Sequence, residues 1–139
     1  MKVMLDLNIL LDHIQKREPH YQFSSIVISE VLKNKVEGII PAHALTTLYY
    51  LISKYTNKER ANERIDWLLE KFDFVGGDKS LFKRARNLQI DDFEDAVVAS
   101  LAEDLHCNHI ISRNVPDFEN FPIPAITPEE FARTYVNVE

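Results

Sequence analysis

Short apolar segments alternate along the chain with longer segments in which apolar residues recur every three or four positions. The periodic segments predict two amphipathic helices in succession after each of the first three apolar segments and one helix after the last. The apolar segments themselves predict five β-strands, at residues 2–5, 36–42, 72–75, 108–112 and 123–126. Strands and helices in this order are typical of a parallel sheet packed between helical layers.

Polar residues just before the periodic segments predict where several helices begin. Asn57, Asp78 and either Asp91 or Asp92 are expected to be N-cap residues, because their side chains can accept hydrogen bonds from the free amides of a first helical turn. Thr127 opens the segment TPEE, in which a proline follows the cap and a glutamate completes a capping box.

Each helix is expected to turn one apolar stripe toward the sheet. The stripes include Leu69, Phe82 and Phe93, each spaced three or four positions from another apolar residue. We therefore expect these three side chains to be buried.

The composition is that of an ordinary globular chain, with 139 residues, 45% hydrophobic and 27% charged. This length predicts a single domain over residues 1–139. No apolar run is long enough to span a bilayer, and no signal peptide is evident, so we expect a cytoplasmic protein with no membrane partner. The single Cys107 excludes an intrachain disulfide and a multi-cysteine metal site.

The net charge of −6 argues against a protein that coats nucleic acid through a generally basic surface. Two local groups of cations depart from this balance, and each is interpreted either as a solvated helix face or as a contact for an RNA backbone. These groups are Lys54, Lys58, Arg60 and Arg64, and Lys79, Lys83, Arg84 and Arg86.

Three aspartates occupy positions where the functional groups of parallel sheets gather. Asp6 follows the first strand, Asp117 follows the fourth, and Asp95 lies in the first turns of the helix that leads into the fourth. The carboxyl ends of parallel strands lie at one edge of the sheet. If the first and fourth strands are neighbours, the three carboxylates face one crevice.

Carboxylates crowded into one crevice repel each other and resist ionising together. A hard divalent cation removes this conflict, and several acids without a histidine or cysteine cluster favour Mg²⁺ or Mn²⁺ and phosphate chemistry. The five histidines show no ligand spacing. We therefore expect Asp6, Asp95 and Asp117 to hold one ion together.

Each acid also has a purely structural interpretation. Asp6 would cap the helix that begins at Leu7, and the acids of the segment IDDFED would match the dipole of the next helix. Asp117 would be an ordinary loop residue, and Asp12 is expected at the surface or in a local ion pair. Asp92 and Asp95 are three positions apart and are expected to share a helix face.

Three segments in the same order resemble the motifs of PIN domains. VMLDLNILLD resembles the first motif, DFEDAVVASLAEDLHCNHIISRNVPDF the third and fourth, and IPAITPEEF a common closing strand and helix. The resemblance implies a Rossmann-like, three-layer α/β/α sandwich with a five-stranded parallel sheet. It also implies a metal-dependent endoribonuclease, often the toxin of a VapC-type toxin–antitoxin pair.

By matching positions, the resemblance implies that Asp6, Asp95 and Asp117 bind Mg²⁺ or Mn²⁺. Asn8 would orient Asp6, and Asn114 would be a ligand or its support. Arg113, beside the expected site, is the candidate for contact with a substrate phosphate.

One motif departs from the PIN pattern. A glutamate usually lies early in the helix after the second strand, and the matching position here is Thr47. A hydroxyl is a weaker ligand for Mg²⁺ than a carboxylate. We hypothesise that Asp92 supplies the missing charge.

The combined prediction is a ribonuclease that acts on single-stranded or looped RNA, whose backbone is accessible. A small antitoxin protein and a second copy of the chain are expected partners. Thr47 favours an alternative, a catalytically degenerate PIN fold that binds RNA or protein. A second alternative is a phosphotransfer domain, either a haloacid-dehalogenase-like phosphatase or a receiver domain, with Asp6 as phosphoacceptor.

Overall fold

The structure is a computed structural model that describes residues 1–119 and 121–136. In this part of the chain the strands are β1 (Lys2–Leu5), β2 (Glu37–Pro41), β3 (Asp73–Val75), β4 (His109–Ile111) and β5 (Ala125–Ile126). The α-helices are α1 (Leu7–Ile14), α2 (Tyr21–Leu32), α3 (Ala44–Tyr55), α4 (Lys58–Lys71), α5 (Lys79–Arg86), α6 (Phe93–Asp104) and α7 (Pro128–Tyr135). A short 3₁₀ helix, Val115–Phe118, follows β4.

The described strands form one parallel sheet in the order β3-β2-β1-β4-β5. The central strand β1 pairs with β2 through Val3 and Gly38 and with β4 through Val3 and His109. This order is Rossmann-like, and it differs from a receiver domain, in which β1 lies between β2 and β3. The receiver alternative is therefore wrong, and the expected neighbourhood of β1 and β4 is confirmed.

The sheet separates two hydrophobic clusters, which makes the fold a three-layer α/β/α sandwich. Val3 and Leu5 of β1 pack on one face with α1, α2, α3, α4 and α7. Met4 packs on the other face with α5 and α6. Successive side chains of a strand point to opposite faces, and all three of these are fully buried, so β1 needs an unbroken apolar sequence.

The predicted helix starts are confirmed by side-chain hydrogen bonds. Asn57, Asp78, Asp92 and Thr127 each accept from the backbone amide three residues later, at 2.9 to 3.0 Å. Asp92, rather than Asp91, is the N-cap of α6. These caps fix the residue at which each helix begins.

Three side chains predicted to be buried are exposed. Leu69 is 54% exposed, Phe93 43% and Phe82 37%. In α4 the fully buried stripe is narrow and leaves Leu69 outside it. Phe82, in the middle of α5, and Phe93, the first residue of α6, pack on each other, with ring centroids 6.2 Å apart. None of the described helices has the length and hydropathy of a membrane span.

The predicted domain of residues 1–139 includes residue 120 and residues 137–139, which lie outside the described ranges. The described elements share one sheet and its two flanking layers.

Candidate active site

Asp6 joins the carboxyl ends of β1 and β4. Its backbone amide donates to the carbonyl oxygen of Ile111 at 3.0 Å. Its Oδ1 accepts from the Leu7 amide at 2.8 Å and caps α1, and the residue is only 7% exposed. The structural interpretation of Asp6 as a helix cap is therefore correct, but the cap uses only one of the two carboxylate oxygens.

Two polar side chains hold the other oxygen of Asp6. The Ser112 hydroxyl donates to Oδ2 at 2.7 Å, and Asn8 Nδ2 donates to the same oxygen at 3.4 Å. Asn8 Oδ1 also accepts from the Arg113 backbone amide at 3.4 Å. The contact of Ser112 with Asp6 and that of Arg113 with Asn8 join residues more than 100 positions apart, so they form only when β1 and β4 pair.

Sequence reasoning did not single out Ser112. It is fully buried, and its hydroxyl also accepts from the Asn114 amide at 3.0 Å. It could have been recognised as a serine at the end of the predicted fourth strand, next to the residue that pairs with the end of the first strand. A buried hydroxyl that donates to a carboxylate both satisfies its own polar group and fixes the carboxylate's rotamer.

The 3₁₀ helix after β4 presents Asp117 to the crevice. Phe118, next to it, is buried, while Asp117 is exposed. The Asp117 amide donates to the carbonyl oxygen of Asn114 at 3.0 Å, which closes the turn. The buried phenylalanine thus anchors the turn and leaves the neighbouring carboxylate and the exposed Asn114 at the surface of the site.

An acidic cleft of about 360 Å³ lies between the start of α6 and this turn. Five carboxylates line it, together with Gln89, Ile90 and Pro116: Asp91, Asp92, Asp95, Asp117 and Glu119. Asp6 is not among the lining residues and lies buried beside the cleft.

Electrostatic coupling shows which acids share the site. Burial, and then the charges of Asp6, Asp92, Asp117 and Glu94, raise the pKa of Asp95 from 3.8 to about 7. Desolvation penalises the charged form of a carboxyl group, and nearby like charges add to that penalty. The structure therefore brings the acids of β1, α6 and the 3₁₀ helix into one negatively charged crevice.

The pKa of Asp6 is also raised, chiefly because the residue is buried. The hydrogen bonds from Ser112 and Leu7 lower it, the charge of Asp117 raises it, and the charge of Arg113 lowers it. Three of these groups, Ser112, Arg113 and Asp117, follow β4, so the loop after that strand both lowers and raises the pKa of the carboxylate.

Asp92 acts on the site from the position just before α6. Because Asp92 is the N-cap and lies outside α6, the two residues do not share a face of the helix as expected. Instead, Oδ1 of Asp92 accepts from the Asp95 amide at 3.0 Å. Its charge nevertheless raises the pKa of Asp95. The N-cap geometry brings the two carboxylates together by a different route.

Thr47 lies in the first turn of α3 and is partly exposed. At the start of the same helix, the Thr46 hydroxyl donates to the carbonyl oxygen of His43 at 3.1 Å. His43 Nε2 lies 3.9 Å from Oε1 of Glu94, an ion pair when the imidazole is protonated. Glu94 therefore places a carboxylate between α6 and α3, the helix in which PIN domains usually carry a glutamate and this chain has Thr47.

Asp12 is neither at the surface nor in a local ion pair. It is 0% exposed, and its Oδ2 lies 2.8 Å from Nε of Arg113, 101 residues away. Arg113 Nη2 donates to Oδ1 at 3.2 Å, and the Ser24 hydroxyl donates to Oδ2 at 3.3 Å. A buried charge requires such partners, and the pair ties α1 to the loop after β4.

Arg113, the predicted phosphate contact, is thus held by Asp12, and 28% of its side chain remains exposed. It also lines a second cleft of about 410 Å³ at the start of α7. Its guanidinium group stiffens the loop that carries Asn114 and Asp117.

The donor chemistry of the crevice fits a hard divalent cation. Within residues 1–119 and 121–136, however, no three His, Cys, Asp or Glu side chains are placed to hold one metal ion between them. The expected grip by three carboxylates at once is therefore not preformed. Mg²⁺ typically takes one or two carboxylates directly and keeps several waters, and a crevice of separated carboxylates suits that mode.

A family model of the PIN domain matches residues 2–116. Ribonuclease VapC1 of Aquifex aeolicus is 27% identical over 139 residues, which cover 96% of this chain and 95% of that protein.

Solved structures give the same fold. VapBC2 from Rickettsia felis, bound to a DNA fragment from its promoter, superposes with a TM-score of 0.69 at 21% identity, over 91% of this chain and 98% of that chain. Mycobacterium tuberculosis VapC20, described as a Sarcin-Ricin loop cleaving toxin, superposes with a TM-score of 0.65 at 10% identity, over 78% and 86%. These structures share the fold of this chain. Because the PIN domain family model matches residues 2–116, the chain belongs to the PIN domain family.

Proposed function

We propose that this protein is a metal-dependent endoribonuclease that hydrolyses RNA phosphodiesters. The observation that carries the proposal is the cleft between the start of α6 and the turn after β4, where Asp95 and Asp117 lie among five lining carboxylates beside the buried Asp6. The raised pKa of Asp95, which the charges of Asp6 and Asp117 help to cause, supports it. A structural role would favour acids that are paired with cations. Asp6 is hydrogen-bonded, but within residues 1–119 and 121–136 none of the three aspartates forms an ion pair, and their charges repel each other. Acids kept in mutual repulsion in one crevice are typical of a functional site.

The site residues take distinct roles in this proposal. Asp6, Asp95 and Asp117 hold Mg²⁺ or Mn²⁺, directly or through water, and Asp92 adds charge at the start of α6. When bound, the cation supplies positive charge to the phosphodiester and lowers the pKa of a water. Ser112 and Asn8 keep the Asp6 carboxylate in one orientation through their hydrogen bonds.

The remaining predicted residues act at the rim. Asn114 is exposed at the turn that presents Asp117, where it can contact the cation's water shell or the substrate. Thr47, in the first turn of α3, is a neutral group at the position where PIN domains usually carry an acid. Arg113 acts mainly through its ion pair with Asp12, which fixes the loop of the site.

The relatives support a biological role as the toxin of a VapBC-type pair. The Aquifex relative is named a ribonuclease, and the Rickettsia structure is of a toxin together with its antitoxin, on DNA. We infer that this chain pairs with a small antitoxin protein that blocks the acidic cleft. An arginine is the side chain best suited to reach carboxylates there.

A metal-dependence assay tests the proposed activity. Purified protein is incubated with labelled single-stranded RNA and Mn²⁺ or Mg²⁺, and EDTA is the metal-free control. Asp6→Asn should abolish cleavage, whereas Asp66→Asn, an exposed acid on α4, should leave it unchanged. Cleavage that survives Asp6→Asn, or that proceeds in EDTA, would refute the assignment.

Thr47 favours one other function, a degenerate PIN fold that binds RNA or protein without cleaving it. In that case RNA binding would be indifferent to Asp95→Ala, and no metal would produce turnover. The same labelled RNA, followed by binding and by cleavage in parallel, separates the two functions.

A homodimer is a further proposal. On α3, Leu48 and Ile52 are buried in the core, so only the outer face of this helix is available to a second copy. There Tyr50 is 61% exposed. Sedimentation of the wild type and of Tyr50→Ser tests whether this face joins two copies.

A further inference from the structure

A third cleft, at the opposite end of α1 from Asp6, is lined by cations. It has a volume of about 690 Å³ and lies where the ends of α1 and α3 meet the start of α4. We call it the basic groove and define it by Lys16, Arg17, Tyr55, Arg60 and Arg64. The side chains of Ile14 and Ile52 also line it.

The charge of the basic groove is unbalanced. Its lining includes four cations and no Asp or Glu, although the whole chain has a net charge of −6. In the described part of the chain, none of the four forms an ion pair, whereas Arg84 pairs with Asp104 and Arg133 with Glu129. Like charges brought together without a counterion are destabilising, so this arrangement points to an anionic ligand.

The groove is built from three separate segments of the chain. Arg60 and Arg64 belong to the α4 cluster seen in the sequence, and Lys16 and Arg17 join them from the turn after α1. Arg17 Nε donates to Oε1 of Gln15 at 2.9 Å, which holds the guanidinium group at the groove. Nε2 of the same glutamine is buried and, among the described residues, has no hydrogen-bond partner.

An aromatic ring stands at the rim of the groove. Tyr55 is 64% exposed, and Nζ of Lys54 lies 5.9 Å from its ring centroid. A positively charged groove that follows the backbone, with an aromatic ring on which a base can stack, is the usual arrangement in proteins that bind single-stranded nucleic acid. An acidic protein segment is the other ligand that four cations could bind, but such a ligand gives no reason for the exposed ring of Tyr55.

We propose that the basic groove binds the phosphate backbone of the RNA substrate beyond the scissile bond. The proposal rests on the ribonuclease function. Helix α1 begins beside Asp6 and ends at the groove, and its eight residues span about 12 Å at 1.5 Å per residue. A few nucleotides of single-stranded RNA cover that distance, so a strand bound at Asp6 is long enough to extend to the groove.

Binding is measured in an Asp6→Asn background, so that RNA is not cleaved, with fluorescein-labelled oligouridylate at several salt concentrations. The groove variant is Arg60→Gln with Arg64→Gln. The matched control is Lys33→Gln with Lys35→Gln, which removes two exposed cations just after the end of α2. Unfolding curves of both variants establish that they are folded.

The groove variant should bind RNA at least about tenfold more weakly than the control, and its slope of log K against log salt should be shallower by about 1.4. Tyr55→Ala should weaken binding and leave the slope unchanged, because stacking releases no counterions. With Asp6 restored, the groove variant should raise KM for long RNA and leave kcat unchanged.

Equal RNA binding by the groove variant and the control would overturn the proposal. So would a groove that binds polyglutamate but not RNA, because it would then be a protein-docking surface. If RNA binding depends on the groove but no metal supports cleavage, the ribonuclease function fails and the groove assignment stands. If cleavage is metal-dependent but the groove variant cleaves RNA like the control, the groove assignment fails and the ribonuclease function stands.

Discussion

Replacing Asp95 by Asn should make the metal-free protein more stable while abolishing its activity. Asn resembles a protonated aspartate in size and carries no charge. It therefore removes the repulsion from Asp6, Asp92, Asp117 and Glu94 that raises the pKa of Asp95 to about 7. A site that must attract a cation is expected to hold its acids together at a cost in stability.

The magnitude follows from the pKa of Asp95. The difference between 3.8 and about 7 corresponds to about 4 kcal/mol at about 1.4 kcal/mol per pKa unit. Asp95 is partly exposed, and solvent screens its interactions, so this figure is an upper bound. We expect a gain of about 1–2 kcal/mol in the free energy of unfolding above pH 7.

The pH dependence distinguishes this mechanism from a general effect of the substitution. Below pH 3.8 the carboxyl group is protonated in both the folded and the unfolded state, so the wild type and Asp95→Asn should be equally stable there. As the pH rises to about 7, the unfolded chain loses this proton and the folded chain keeps it. Wild-type stability should therefore fall relative to the variant, and the difference should level off above pH 7.

Urea unfolding in EDTA, followed by far-UV circular dichroism between pH 4.5 and 8.5, measures this difference. Asp66→Asn is the matched control, because it makes the same chemical change at an exposed position of α4. Adding Mn²⁺ should stabilise the wild type at pH 8 more than Asp95→Asn. If Asp95→Asn were no more stable than the wild type at pH 8, or the difference did not vary with pH, the repulsion argument would be refuted.

Three further substitutions test the framework of the site. Ser112→Ala removes the 2.7 Å hydrogen bond to Asp6 and should cost about 1–2 kcal/mol by urea unfolding. It should also move the acid limb of the cleavage profile to higher pH, and an unchanged profile would count against this role of the hydroxyl. Asp12→Asn strips Arg113 of its buried partner and should cost about 2 kcal/mol, less than for a fully buried pair because the guanidinium group is partly exposed. Equal unfolding midpoints would contradict that ion pair. Gly38→Ala would place a Cβ 2.7 Å from Cγ2 of Val31 and should cost about 1–3 kcal/mol in thermal unfolding. An unchanged melting temperature would contradict this close contact.

The arrangement of elements could be predicted from the sequence because each signal was local. Apolar runs such as residues 2–5 and the caps at Asn57, Asp78 and Thr127 depend on neighbouring residues alone. Burial was less predictable for Phe93 and Leu69, because an apolar residue on the right face is covered only if another element extends over it.

The sequence by itself determined which residues could take part in the site. Asp6, Asp95 and Asp117 lie at or near the ends of strands and helices whose order the hydrophobic pattern predicts. Only the tertiary structure decided how they interact. The raised pKa of Asp95 comes from residues on three different elements.

The same division explains Asp12, Ser112 and the basic groove. The ion pair of Asp12 with Arg113 and the hydrogen bond of Ser112 to Asp6 each join residues more than 100 positions apart. The groove combines cations from the turn after α1 with those of α4. Electrostatic and hydrogen-bond energies depend on distances through space and on burial, and these are set only when β1 pairs with β4 and the helices pack against the sheet.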